Sequence, residues 1–153
     1  MANEIRSALN DAAAAFTITL ASLAAAAARQ STMLSNTTER PAALVFVRLK
    51  SGAAAPTAGR VYEVYLLRGD GTVRTDGAGA SDAAITIENA PLLGTIVVTN
   101  SAAKNFYGEC DTAPLGPLGT EWGIAVKDGT DQALSTTEAD HRAAYQYYVP
   151  EIQ

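Results

Sequence analysis

The stretch AAAAFTITLASLAAAAA, residues 12–28, carries no charged side chain and admits three readings: a secretory signal, a helix, or a strand running into a turn. A secretory signal needs a basic segment ahead of its apolar one, whereas Glu4, Arg6 and Asp11 precede this run. No cleavage is therefore expected. Phe16, Ile18 and Leu20 alternate with Thr17 and Thr19, and β-branched residues lose helix propensity while fitting a pleated surface. The stretch thus reads as a first strand with Phe16, Ile18 and Leu20 inward and Thr17 and Thr19 outward. Ala24 to Ala28 has the highest intrinsic helix propensity available, so a helical turn competes there with a tight turn. Strand, turn, strand is the favoured order, with Ser31 to Leu34 extended again. Upstream, Glu4 to Asn10 is expected as a short helix or as a mobile arm.

Alternation with period two dominates the rest of the chain and argues for strands. Ala43, Val45, Val47 and Leu49 share one face, with Leu44, Phe46, Arg48 and Lys50 on the other. Val61, Glu63, Tyr65 and Leu67 alternate in the same way against Tyr62, Val64, Leu66 and Arg68. That run ends at Gly69-Asp70-Gly71, which suits a tight hairpin leading into Thr72 to Thr75. Shorter apolar runs follow at Ala84 to Glu88, Gly94 to Asn100, Asn105 to Glu109, Glu121 to Lys127, Gln132 to Ser135 and Ala143 to Val149, with Gly, Pro, Asp and Ser between them. No crossover helix separates these runs. The fold class is all-β, an antiparallel β-sandwich of jelly-roll-like type, with an N-terminal arm over residues 1–15 and one domain over residues 16–153.

The chain of 153 residues is 48% hydrophobic, enough for one core. Sixteen acids against eleven bases leave a net charge of −5, which opposes the phosphate-neutralising surface of a nucleic-acid binder. The lone Cys110 permits no intrachain disulfide and reads as a small buried hydrophobe in a reducing cytosol. Thr17, Thr19 and Ser22 interrupt the best apolar run below the length of a membrane span. The expectation is a soluble protein without membrane contact.

Each chemical motif has a plainer competitor. Arg68-Gly69-Asp70 spells an integrin-type tripeptide, yet Gly-Asp-Gly is what a turn demands. Asn36-Thr37-Thr38 matches a glycosylation acceptor, which without a signal is simply a loop. His141 follows Glu138 and Asp140, but a single imidazole disfavours zinc, and no G-x-S-x-G elbow supports a Ser-His-Asp arrangement; a solvated polar loop is expected. Asp70, Asp76, Asp82, Asp128 and Asp131 sit in Gly-rich loops without a D-x-D-x-D-G calcium pattern. No catalytic residue, cofactor or metal is expected. Tyr145, Tyr147 and Tyr148 cluster near Pro150 and suit either an interface or the wet rim of a core. Trp122 alternates with Ile124 and Val126 and reads as core, with Gly123 permitting a close backbone approach.

Ile18-Thr19-Leu20-Ala21-Ser22-Leu23 followed by Ala28-Arg29-Gln30-Ser31-Thr32, together with Trp122-Gly123-Ile124-Ala125-Val126 and Ala133-Leu134-Ser135, resembles a family of small structural proteins of tailed bacteriophages. The resemblance frames residues 16 to 148. It implies a non-enzymatic β-sandwich component of the virion, best matched by a capsid decoration, or cement, protein assembled in the host cytoplasm. The implied partners are the major capsid protein and further copies of the chain, in a homo-oligomer such as a trimer. Tyr145, Tyr147 and Tyr148, with Arg6 on the arm, are the candidate interface residues. A tail or fibre attachment module that binds carbohydrate or receptor, or a head-tail connector component, is the alternative; exposed and coplanar Tyr145 and Tyr148 would favour the attachment module.

Overall fold

The computed structural model describes residues 5–9 and 12–152. Two antiparallel sheets face each other. The first holds β1 (Ile5–Leu9) and β2 (Ala14–Ala15) along one edge, then β11 (Arg142–Ile152), β5 (Ala42–Lys50) and β9 (Asn105–Asp111). The second runs β7 (Ala83–Ile85), β3 (Ala28–Gln30), β10 (Glu121–Asp128), β6 (Val61–Gly69), β8 (Leu92–Val97), with β4 (Leu34–Ser35) beside β3 against β10. With β1, β4 and β7 set aside, the orders are β2-β11-β5-β9 and β3-β10-β6-β8. Every connection among these eight except β6 to β8 crosses between the sheets. That is the jelly roll of two Greek keys, so the all-β sandwich expected from the period-two alternation is the fold.

Alternation decides which side chains fill the space between the sheets. Ala43, Val45, Val47 and Leu49 turn inward from β5, and Tyr62, Val64 and Leu66 from β6. Trp122, Ile124 and Val126 do so from β10, and all three are fully buried. A second apolar cluster lies on the outer side of the second sheet. There the excursion between β6 and β8 folds back, placing Ala78, Ile85, Ile87 and Ala90 on Leu67, Ala125, Tyr65 and Met33.

The deciding stretch behaves in part as expected. Phe16, Ile18 and Leu20 are buried and Thr17 and Thr19 exposed, but only Ala14–Ala15 pairs as a strand, with Ala15 opposite Ala144. Beyond Phe16, whose N–H reaches Ala143 O at 2.9 Å, the chain is leaving the first sheet for the second, and carboxylates supply acceptors for its backbone. Thr19 N–H donates to Asp82 Oδ2 (3.1 Å), while Leu20 and Ala21 N–H both donate to Glu138 Oε2 (2.9 and 2.7 Å). The alanines form no helix. Ser22 and Ala26 take left-handed φ of 59° and 65°, and β10 captures the turn through Ala26 N–H to Asp128 O (2.7 Å) and Asp128 N–H to Ala27 O (2.9 Å). Five alanines are too few to nucleate a helix on their own, and pairing with β10 prevails.

Three other expectations are corrected. Ile5–Leu9 is a strand paired with Tyr148–Ile152 rather than a helix, because β11 outruns β5 and offers it an edge; Glu4 and Asn10 lie outside the described residues. Thr72 to Thr75 is not a strand: Asp70 Oδ1 accepts the N–H groups of Thr72 and Val73 (2.8 and 2.7 Å), widening the turn so that only Gly69 and Arg74 meet in a bridge. Gln132 to Ser135 contributes one bridge, Leu134 to Ser51.

Candidate functional site

The outward face of the first sheet is the open one. Among the described residues no apolar layer comparable to that on the second sheet covers it. Cross-strand register sets its side chains in rows. Arg142 stands opposite Arg48, which stands opposite Tyr107; in the next row Ala144 faces Phe46, which faces Glu109. Phe46, Arg48, Tyr107, Glu109 and Arg142 bound an open depression of about 510 Å³. Tyr107 is 70% exposed, and Arg142 and Glu109 are exposed as well. Arg48 is held in place, its Nη2 donating to Ala139 O (2.8 Å) and its Nε to Asp140 O (3.2 Å). Phe46 and Arg48 are legible as the outward side of their strand, and Tyr107 alternates with buried Phe106. Their meeting with Arg142 depends on register that no local pattern encodes.

Of the three C-terminal tyrosines, Tyr145 and Tyr147 are brought together, with ring centroids 5.2 Å apart, and Tyr148 is not. Tyr145 and Tyr147 turn into the sandwich, where Tyr145 packs on Phe16 (centroids 4.8 Å apart) and Trp122 (5.4 Å), and Tyr147 on Trp122 (5.8 Å). Tyr148 has the opposite parity and points outward, its hydroxyl donating to Asp111 Oδ1 at 2.6 Å. Burial, and then Asp111, push that hydroxyl's pKa up to about 12. Arg6 lies opposite Glu151 in the ladder between β1 and β11.

His141 is not in a solvated loop. It is buried, its Nε2 lies 3.0 Å from Ser135 O, and its Nδ1 accepts Lys50 N–H at 3.3 Å. This pattern fits a neutral imidazole with its proton on Nε2. The Ser135 hydroxyl donates to Asp140 Oδ2 at 2.6 Å, and Lys50 pairs with the same carboxylate at 3.1 Å. Histidine, serine and aspartate are thus neighbours, but the serine hydroxyl is directed to the carboxylate and the imidazole to a carbonyl. The cluster closes the end of the sandwich.

The remaining motifs resolve locally. Asp70 caps its own turn, and Arg68 Nη2 donates to Leu115 O (2.5 Å) and Gly116 O (3.1 Å), so the tripeptide is built into the fold. Asn36-Thr37-Thr38 is the loop expected, following β4, with Asn36 itself buried and its amide donating to Arg40 O and Gly119 O. Asp76 accepts the N–H groups of Asn89 and Ala90. Asp82 binds Thr19 and, at 2.5 Å, Arg29; burial raises its carboxyl, but these contacts outweigh it and hold the pKa below the ordinary value. Asp131 is taken by Thr57. Among the described residues no three His, Cys, Asp or Glu side chains gather to hold a metal ion. Cys110 is buried, and burial pushes its thiol up.

One pair stands apart. The Tyr62 hydroxyl and Asp128 Oδ2 are buried without a hydrogen-bond partner, on residues opposite each other in the β6–β10 ladder. Burial, beyond what hydrogen bonds from Thr130 offset, raises the Asp128 carboxyl to about 6, and burial with the nearby Asp128 raises Tyr62. Asp128 continues the inward parity of Trp122, Ile124 and Val126, which is the signal in the sequence that marks it as buried at the end of β10 rather than in a loop. Comparison of the chain with protein-family models gives no match, and comparison with curated proteins gives none either.

Proposed function

We propose that this chain is a non-enzymatic virion structural protein that decorates the capsid of a tailed bacteriophage, docking on the outer surface of the major capsid protein lattice and stabilising the head. The observation that carries the reading is the jelly-roll sandwich with one sheet face closed by the chain's own excursion and the other open. Jelly rolls recur in viral capsid proteins, though they also serve unrelated functions, so the fold enters here as analogy. A cement protein acts by surface contact repeated over many copies, each copy gaining from its neighbours on the same shell. A rigid body with one uncovered face suits that task. The carbohydrate-binding alternative finds less support, because the two tyrosines that would form its stacking platform, Tyr145 and Tyr148, lie on opposite faces of β11.

The test is cosedimentation of the purified protein with phage heads that lack it, followed by thermal challenge of the decorated heads. Saturable binding and a raised temperature of DNA release are expected. Absence of binding to any head preparation of the parent phage contradicts the proposal.

A further inference from the structure

Arg48 and Arg142 are direct cross-strand neighbours on the open face of the first sheet. Like charges placed directly opposite each other destabilise an antiparallel pair. The carboxylates of the neighbouring 138–140 turn are committed elsewhere: Asp140 to Ser135 and Lys50, Glu138 to the backbone of Leu20 and Ala21. Glu109, on the same face, forms no ion pair with either guanidinium among the described residues. In a chain of net charge −5, these two adjacent cations have no carboxylate partner among the described residues. They border a depression whose other walls include the ring of Phe46, the exposed ring of Tyr107 and, on the far side of Phe46 from Ala144, Glu109, so the two guanidinium groups outnumber the one carboxylate there.

From this geometry we infer that the Arg48–Arg142–Tyr107–Phe46 face is a docking site for a carboxylate-bearing segment of a partner protein. The Arg48 guanidinium is pre-oriented by the Ala139 and Asp140 carbonyls, so little side-chain freedom is lost when it takes a carboxylate oxygen. Arg142, exposed, supplies the second arm of the clamp. A guanidinium fork suits a carboxylate, and the flanking aromatics accept the aliphatic part of a Glu or Asp residue and its neighbours. The inference rests on the proposed docking to a protein lattice and names the surface and the partner chemistry. A peptide is favoured over an acidic glycan because the lining of the open depression is mostly apolar, which suits the aliphatic parts of a protein segment.

The test is a nuclear magnetic resonance titration of the full chain with a hexaglutamate peptide, using Arg142→Glu and Tyr107→Ala as variants, since both side chains are exposed. Saturable shifts confined to β5, β9 and the start of β11 are expected, weakened about tenfold by Arg142→Glu and lost in 0.5 M salt, where the screening length is only about 4 Å. No shift on this face, or shifts unchanged by Arg142→Glu in a variant that keeps the wild-type melting temperature, overturns the inference. So does saturable binding of a galacturonate oligomer with none of the peptide, which would assign the site to an acidic glycan. Because this readout needs no phage particle, peptide binding without head binding would count against the proposed function alone. Head binding undiminished by Arg142→Glu would count against the docking face alone.

Discussion

The indole Nε1 of Trp122 donates to the hydroxyl of Tyr147 at 2.9 Å, a hydrogen bond that crosses the interior from β10 in one sheet to β11 in the other. The indole is fully buried and is edged by Phe16 (5.3 Å between centroids), Tyr145 and Tyr147. The bond lets a large polar-tipped aromatic sit in the core without an unpaired donor. Tyr147→Phe keeps the packing and removes the acceptor. The expected result is a loss of about 1–3 kcal/mol in urea unfolding, the cost of a buried unpaired donor; an unchanged midpoint would show that the bond contributes nothing.

Asp128 gives the fold an unusual pH dependence. Its pKa is raised in the folded state to about 6 from an ordinary 3.8, so the folded protein binds the proton more tightly than the unfolded chain does. Its contribution to stability is fully present below pH 3.8 and is lost as pH rises through 6. The span corresponds to about 3 kcal/mol, as an order of magnitude. Asp70, Asp82, Asp131 and Asp140 are shifted downward and act in the opposite sense, so the difference between wild type and Asp128→Asn is the proper readout. Denaturation at pH 4, 6 and 8 is expected to show the variant gaining on the wild type as pH rises. Parallel profiles would contradict the burial of the Asp128 carboxyl.

Glu138 holds the deciding stretch in place from 117 residues away in sequence, through the N–H groups of Leu20 and Ala21. Glu138→Ala leaves both donors without a carboxylate where the chain crosses between sheets. A loss of about 2 kcal/mol is expected from two bonds to a charged acceptor in a partly exposed setting, together with faster hydrogen exchange at those two amides. Wild-type exchange there would remove the assignment.

How much of this was legible in the sequence differs from element to element. The long strands announced themselves, because β5, β6 and β10 carry enough alternation for the period to outweigh local preference. The inward side of Phe16, Ile18 and Leu20 was legible for the same reason. Whether that segment would join a ladder was not, since the answer lies with Asp82 and Glu138, which are distant in sequence. The left-handed turn at Ala26 was hidden by a residue type that favours helix. Tyr147 and Tyr148 are adjacent in sequence and sit on opposite faces by the parity rule alone, so their separation was available from the pattern. The pairing of Arg48 with Arg142 was not, because register between distant strands is set by the whole sheet.

Gly123 marks the other close approach, and here the sequence reading holds. A Cβ at this position would stand 2.8 Å from Ser31 Oγ and 3.1 Å from Met33 Sδ, and Ser31 Oγ also accepts the Ile124 N–H at 3.1 Å. Gly123→Val is therefore expected to force the β3–β4 segment off β10 at a cost of about 1–3 kcal/mol. A melting temperature within error of wild type would show that the segment yields freely.

The most direct test of the central claim is cryo-electron microscopy of the assembled particle that contains this protein, with its density located and its copies counted. Copies spread over the outside of the icosahedral lattice, at capsomer centres or junctions, are the predicted result. Density confined to the tail, the neck or a fibre would contradict the decoration role.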